Sequence, residues 1–95
     1  MLRQDFRIGG YFQSAGGTAL WVCTDIGTRV VVAVRIDRAE IVESSPSGQT
    51  QRVADIRQEP DLFDGPPYML CEVVFDEYDF ESCEAVSDPT AWSPL

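Results

Sequence analysis

The sequence predicts an all-β or β-rich α+β domain, in which a small antiparallel sheet curls into a barrel or sandwich. Residues 19–24 and 29–37 are runs of β-branched and aromatic side chains, which are typical of strands. Glycine, proline and serine clusters interrupt the chain about every ten residues, as in small all-β folds. A chain of 95 residues can bury one compact core and not two.

The first third of the chain predicts short strands separated by glycine turns. Residues 4–8 are expected to form a strand that ends at Gly9 and Gly10. Tyr11 and Phe12 then resume an extended segment.

An antiparallel hairpin is predicted next. A turn at residues 14–17 leads into strands at 19–24 and 29–37, which residues 25–28 connect. The second strand, RVVVAVRID, has apolar side chains on both faces over most of its length. We therefore expect it to be central in the sheet.

The second half of the chain is less regular. Residues 39–43 continue the sheet or start another strand, and the polar residues 44–50 are the best candidate for a mobile loop. Residues 51–58 are compatible with a helical turn or with a strand. Residues 59–67 contain three prolines and are expected to be irregular, whereas residues 68–75 are a second clear strand.

The domain division follows from the end of the sequence. Residues 76–84 extend the preceding strand past a bulge, form a new edge strand or make a short turn. We expect a single β-rich domain at residues 1–86 and an irregular tail at residues 87–95. The opening order, a short strand with Gly-Gly and then an aromatic hairpin, resembles an SH3-like barrel in pattern, and such a pattern does not define a function.

Charge is distributed unevenly along the chain. Residues 1–57 contain seven arginines against six acids, residues 58–95 contain ten acids and no basic residue, and the net charge is −9. A strongly negative segment attracts basic partners and opposes direct binding to nucleic acid or anionic membrane. The ten acids are Glu59, Asp61, Asp64, Glu72, Asp76, Glu77, Asp79, Glu81, Glu84 and Asp88.

The residue types argue against an enzyme, a cofactor or a bound metal. Histidine and lysine are absent, which removes the commonest general base, the commonest metal ligand and any Schiff-base chemistry. A calcium loop that starts at Asp76 fails, because its sixth and twelfth positions are Glu81 and Ser87. Cys23 and Cys71 lie in apolar runs and are predicted to be buried, reduced thiols.

Residues 76–81 (DEYDFE) form the most distinctive segment. If this segment is extended, Glu77, Asp79 and Glu81 lie on one face at intervals of ~6.6 Å. Such a row could imitate successive backbone phosphates. The alternative is a solvated edge strand whose charges only prevent edge-to-edge pairing.

Three phrases of the sequence carry a resemblance to known proteins. CTDIGTR (residues 23–29), GPPY (65–68) and VFDEYD (74–79) resemble segments of small uncharacterised acidic bacterial proteins, some of them on mobile elements. The resemblance implies no catalytic residue, cofactor or substrate. It implies a bacterial or phage cytoplasm, where small acidic inhibitors such as anti-CRISPR proteins and DNA mimics act.

Two hypotheses for the function follow. The first is a non-enzymatic acidic protein, anti-CRISPR-like in its action, that mimics nucleic acid and occupies a basic, nucleic-acid-binding surface of a partner protein. We expect such a protein to be a cytoplasmic monomer or homodimer that binds neither nucleic acid nor membrane directly, since no signal peptide or membrane span is visible. The residues predicted to contact the partner are Asp64, Glu72, Asp76, Glu77, Asp79, Glu81, Glu84 and Trp92.

The second hypothesis is a structural or assembly module. In this case the protein is a homo-oligomer, and its negative charge serves only solubility. The true interface would then be an apolar patch around Trp92, Leu62 and Phe63.

Overall fold

The computed structural model describes residues 1–63 and 70–94, with the backbone alone at residues 42–44, 62 and 63. The chain forms two antiparallel sheets, a five-stranded sheet in the order β6-β3-β2-β1-β7 and a two-stranded sheet of β4 and β5. The strands are β1 (Tyr11–Ser14), β2 (Ala19–Ile26), β3 (Val30–Arg35), β4 (Ala39–Ser45), β5 (Gly48–Ala54), β6 (Glu72–Asp76) and β7 (Glu84–Val86). A short helix α1 (Glu77–Phe80) and two 3-10 helices, Arg3–Asp5 and Pro60–Phe63, complete the described elements.

The predicted β-rich fold class is confirmed, but the sheet is not a closed barrel. In the described part of the chain, β6 and β7 are the two edges of the five-stranded sheet. The predicted hairpin is β2 and β3, with a register shift between Cys23 and Asp25. As expected, β3 lies inside the sheet, between β2 and β6.

Two local predictions in the first 58 residues were wrong. Arg3–Asp5 forms a 3-10 helix rather than part of a strand, because the Asp5 carboxylate accepts a hydrogen bond of 2.8 Å from the Leu2 N–H. Such a local bond competes with strand pairing. The predicted mobile loop is a tight hairpin turn: β4 continues to Ser45 and β5 begins at Gly48, where φ is +128°. Residues 51–58 were compatible with a helical turn or with a strand. Residues 51–54 continue β5, so these residues form a strand.

The five-stranded sheet is covered on both faces. On one side, which we call the hairpin face, Leu20, Val22 and Val34 pack with residues of the β4–β5 hairpin, Ile56 and Trp92. On the other, the helix face, Phe12, Cys23 and Ala33 pack with residues before β1 and after β6. Because directly opposite residues of antiparallel strands share a face, the strand register assigns each side chain of β6 to one of these two sides.

Aromatic rings organise the cover of the helix face. The Phe6 ring lies 5.1 Å from the Phe12 ring and 4.8 Å from the Phe80 ring, measured between centroids. The Phe75 ring meets those of Phe12 and Trp21 edge-on at 5.3 and 4.8 Å. The segment before β1 and helix α1 are therefore held against the sheet by edge-to-face and tilted ring contacts.

A buried carboxylate joins β2 to the end of β3. Asp37 is only 5% exposed. It accepts bonds from the Leu20 N–H at 3.1 Å and from Arg35 Nε and Nη2 at 2.9 and 3.1 Å. The hydrogen bond to Asp37 raises the pKa of Arg35. These three bonds compensate the carboxylate for its lost hydration.

We expect Asp37→Ala to lower the free energy of unfolding by about 2 kcal/mol, because it leaves a buried N–H and a guanidinium without their acceptor. Chemical denaturation measures this loss. Glu40→Ala, at an exposed position in β4, is the control and should change stability by less than about 0.5 kcal/mol. Equal losses in the two variants would contradict the structural role of Asp37.

Candidate protein-binding surface

The acids from Glu72 to Asp88 are all at the surface. Each of the seven carboxylate side chains in this part of the chain is exposed to solvent. We call residues 72–88 the acidic segment. Its acids are Glu72, Asp76, Glu77, Asp79, Glu81, Glu84 and Asp88.

The acidic segment links the two edges of the five-stranded sheet. It contains β6 at one edge and β7 at the other, which lie four interstrand spacings apart, roughly 19 Å. Between them, Phe80 and Cys83 are buried against the helix face, so the chain crosses that face. Glu77, Asp79 and Glu81 lie on this crossing and are exposed to solvent.

The predicted row of carboxylates on an extended strand is wrong. Residues 77–80 form helix α1, in which neighbouring side chains turn by about 100° per residue instead of alternating between two faces. Glu77, Asp79 and Glu81 therefore do not repeat along one edge at the interval of backbone phosphates. These three acids lie on the same crossing of the helix face, but without the regular spacing of a strand.

A capping box explains why the chain becomes helical at this point. The Asp76 carboxylate accepts bonds from the N–H groups of Tyr78 and Asp79 at 3.0 and 3.2 Å, and the Asp79 carboxylate accepts one from the Asp76 N–H at 2.9 Å. The sequence signal was an N-cap aspartate with a second acid three residues later. Two of the predicted contact residues thus also have a local structural role.

Few of these acids are neutralised by arginine. Among the described residues, Glu77 is the member of the acidic segment in an ion pair, with Arg29 Nε at 2.6 Å. Other acids have neutral neighbours: Glu84 accepts a 3.1 Å bond from Gln13 Nε2, and Glu72 Oε1 lies 3.3 Å from Thr24 Oγ1. The segment therefore keeps most of its negative charge.

Three other arginines of the first half are paired with acids outside the acidic segment. The ion pairs are Arg35–Asp37, Arg52–Glu59 and Arg57–Asp55. Arg52–Glu59, like Arg29–Glu77, joins an arginine of residues 1–57 to an acid of residues 58–95, whereas the other two pairs lie within the first half.

Trp92 is not a free anchor for a partner, contrary to expectation. It is 7% exposed and belongs to the core cluster of the hairpin face. Its Nε1 donates a 2.9 Å bond to Gln13 Oε1, and the Arg57 guanidinium lies 5.4 Å from its ring centroid. Burial of so large a ring stabilises the domain and removes the side chain from solvent.

The remaining predictions concern residues that the structure does not describe and the two cysteines of apolar runs. Asp64, a predicted contact residue, lies outside the described residues, as do the side chains of Leu62 and Phe63. Cys23 is buried as predicted, but Cys71 is exposed, because it precedes β6 at the edge of the sheet. Burial raises the pKa of the Cys23 thiol.

Sequence reasoning missed an apolar edge within the acidic segment. Val73 and Val74 of β6 are 42% and 61% exposed, and Tyr78 is 87% exposed. A cavity of about 290 Å³ lies at the end of β6 between Arg29, Val30 and Tyr78. The repeated valines predicted a strand, but periodicity alone does not show which strand has no neighbour on one side.

A second cavity lies near the start of β6. It has a volume of about 200 Å³, and Trp21, Leu70 and Val73 are among the residues that line it. The edge of β6 is therefore flanked by a concave surface at each end.

Comparison with known proteins finds no family model, no curated protein and no solved structure that matches this chain. In residues 1–63 and 70–94, no group of three or more cysteine or carboxylate side chains is placed to hold a metal ion. No described helix has the length and apolar character needed to cross a membrane.

The Asp55–Arg57 pair predicts a pH dependence of stability. Arg57 lowers the pKa of Asp55 through side-chain hydrogen bonds and also donates a 3.1 Å bond to the Trp92 carbonyl oxygen. Because the folded state lowers this pKa, the ionised carboxylate stabilises the fold at neutral pH, and the contribution is lost as the pH falls below about 4. At pH 7 the free energy of unfolding of the wild type should exceed that of the Asp55→Asn variant by about 1 kcal/mol.

Denaturant unfolding of both proteins at a series of pH values tests this expectation. The stability difference should narrow steadily as the solution becomes more acidic. A difference that stays constant from neutral to strongly acidic pH would contradict the assigned contribution of Asp55.

The capping box gives a separate prediction. Asp76→Ala should cost about 1 kcal/mol of unfolding free energy, because α1 loses the acceptor for two N–H groups. Glu81→Ala removes the same charge from an exposed side chain and is the control. Denaturation curves that shift equally for both variants would show that charge, and not capping, matters here.

Proposed function

We propose that this chain is a non-enzymatic binding protein whose acidic segment occupies a basic, nucleic-acid-binding surface of a partner protein. The observation that carries the proposal is the exposure of all seven acids of that segment, of which Glu77 is ion-paired among the described residues. An inhibitor of a bacterial defence complex, anti-CRISPR-like in its action, is one form of this proposal.

Electrostatic steering is the proposed first step of binding. The acids of the crossing lie on the helix face and those of β6 lie on the hairpin face, so a partner that approaches the edge of β6 meets negative charge from both faces. Surface charges act over a screening length of about 8–10 Å at moderate salt, which makes this attraction strongly dependent on ionic strength. Competition with nucleic acid then follows, because the same cationic side chains hold phosphates.

A homo-oligomeric assembly module is the second candidate. The exposed Val73 and Val74 on β6 favour it, since an apolar sheet edge can pair with another chain. Light scattering across a salt series separates the two candidates. A dimer that is insensitive to salt supports assembly, whereas a monomer that captures a basic, nucleic-acid-binding protein supports the acidic binding protein.

The binding proposal is tested with two triple variants that remove equal charge. Glu72→Gln, Glu81→Gln and Glu84→Gln remove three of the seven negative charges of the acidic segment without touching the capping box. Asp5→Asn, Asp25→Asn and Glu40→Gln are the control in the first half of the chain. The immobilised wild-type protein captures partners from a bacterial lysate at low salt, and the captured protein is identified and purified.

Affinity for the captured protein should fall about 10-fold in the first triple variant and change little in the control. Single-stranded or duplex DNA, or RNA, should compete with the wild-type complex, and the association rate should fall as salt rises. Binding that is equal in all three proteins, or that nucleic acid does not affect, contradicts the proposal.

A further inference from the structure

We propose that the free edge of β6 is a docking site for an extended basic segment of the partner, which joins the five-stranded sheet as an additional strand. This inference rests on the proposed function and specifies how the partner is held. The expected segment has basic residues two positions before and two positions after an apolar residue.

One side of β6 is an open sheet edge. β6 pairs with β3 along its whole length, from Val30↔Asp76 to Val34↔Glu72, and in the described part of the chain no strand pairs with its other side. In a strand, alternate residues direct their N–H and C=O groups to one neighbour and the others direct theirs outward. The outward groups of β6 are therefore available to a further strand, apart from the Asp76 N–H, which donates to the Asp79 carboxylate at 2.9 Å.

The second step is the composition of this edge. Natural edge strands are protected by short length, by charge or by proline. The opposite edge, β7, has three residues, and the exposed residues of β5 before Val53 are glycine, threonine, glutamine and arginine. By contrast, β6 exposes Val74 on the hairpin face and Val73 on the helix face.

The third step is incomplete cover around Val74. This residue lies opposite Val32, which is half-buried like Val30 on the same face. The cover of the hairpin face reaches Val34 and Leu70 but leaves Val74 61% exposed. An apolar side chain of an added strand, placed opposite Val74, would extend this row of valines and remove apolar surface from water.

The fourth step is the charge pattern, which selects the occupant. Glu72, Val74 and Asp76 lie on the hairpin face with one residue between each, so two carboxylates flank the exposed valine. Residues directly opposite in neighbouring strands are close enough for opposite charges to stabilise and like charges to destabilise the pair. A basic-x-apolar-x-basic segment complements this pattern in either strand direction.

The same pattern disfavours a second copy of this chain. Symmetric antiparallel pairing of two β6 strands about Val74 would place Glu72 of each copy directly opposite Asp76 of the other. Two repulsive pairs would then surround one apolar contact. The charges therefore oppose pairing of β6 with the β6 strand of a second copy and allow pairing with a basic strand.

The test uses the full chain and a capped synthetic peptide, Gly-Lys-Thr-Val-Thr-Lys-Gly, as the probe. An isomer with the two lysines adjacent, Gly-Thr-Lys-Lys-Val-Thr-Gly, has the same charge and composition but the wrong spacing. Titrations followed by amide chemical shifts should show binding of the first peptide about 10-fold tighter than the isomer. The shifts should centre on residues 72–76 and their amide hydrogen exchange should slow.

Backbone pairing is tested by N-methylation on the unchanged protein. One peptide is methylated at the valine nitrogen and another at both threonine nitrogens. Because alternate residues of an added strand face β6, one of these peptides should lose binding and the other should retain it. Retention by both overturns strand addition.

Protein variants test the position of the site. Val74→Lys should abolish binding of the patterned peptide, whereas Val53→Lys, at a comparably exposed valine of β5, should not. Val74→Thr keeps the β-branched shape and should weaken binding by a smaller factor. Binding to Val74→Lys that equals wild type overturns the proposal.

The outcome separates this inference from the proposed function. Equal binding of both peptide isomers, with shifts spread over the acidic segment, overturns the docking site but is compatible with general electrostatic attraction. Absence of any shift in residues 72–76 also overturns the docking site. The proposed function is decided independently by the charge-matched triple variants and nucleic-acid competition.

Discussion

The need to cover both faces of one sheet is the constraint on which this structure depends. Internal strands such as β2 and β3 are apolar on both sides, so each face requires a separate layer. The β4–β5 hairpin and Trp92 form one layer, and Phe6 and α1 form the other. A short chain supplies little material for two layers, and the cover is incomplete at β6, where valines stay exposed.

The distribution of charge in the fold follows from where the arginines are used. Arg35 is bound to the buried Asp37, and Arg57 is held by Asp55 beside Trp92. Both pairs stabilise connections within the domain, so these cations do not neutralise the acidic segment. The consequence is a protein whose net negative charge is concentrated on β6, α1 and the entry to β7, next to exposed apolar side chains.

Much of the fold was predictable, because strong strand signals coincide with local turn signals. The β2–β3 hairpin follows from β-branched runs around a short connection, and the internal position of β3 follows from its apolar residues on both faces. The strand predicted at residues 4–8 and the extended alternatives for residues 76–81 were wrong for one physical reason. In both, an aspartate accepts backbone hydrogen bonds locally and forms a helical turn, as Asp5 and Asp76 show.

The sequence by itself determined the β-rich class, the main hairpin and the separation of acids from arginines, since these depend on residue type and near neighbours. Only the tertiary structure decided that Trp92 is buried, that the chain between β6 and β7 crosses one face of the sheet and that β6 is an edge. These features depend on which distant segments pair, as β6 does with β3 across about 40 intervening residues of chain. Such pairings are set by packing of the whole core and leave no local signal in the sequence.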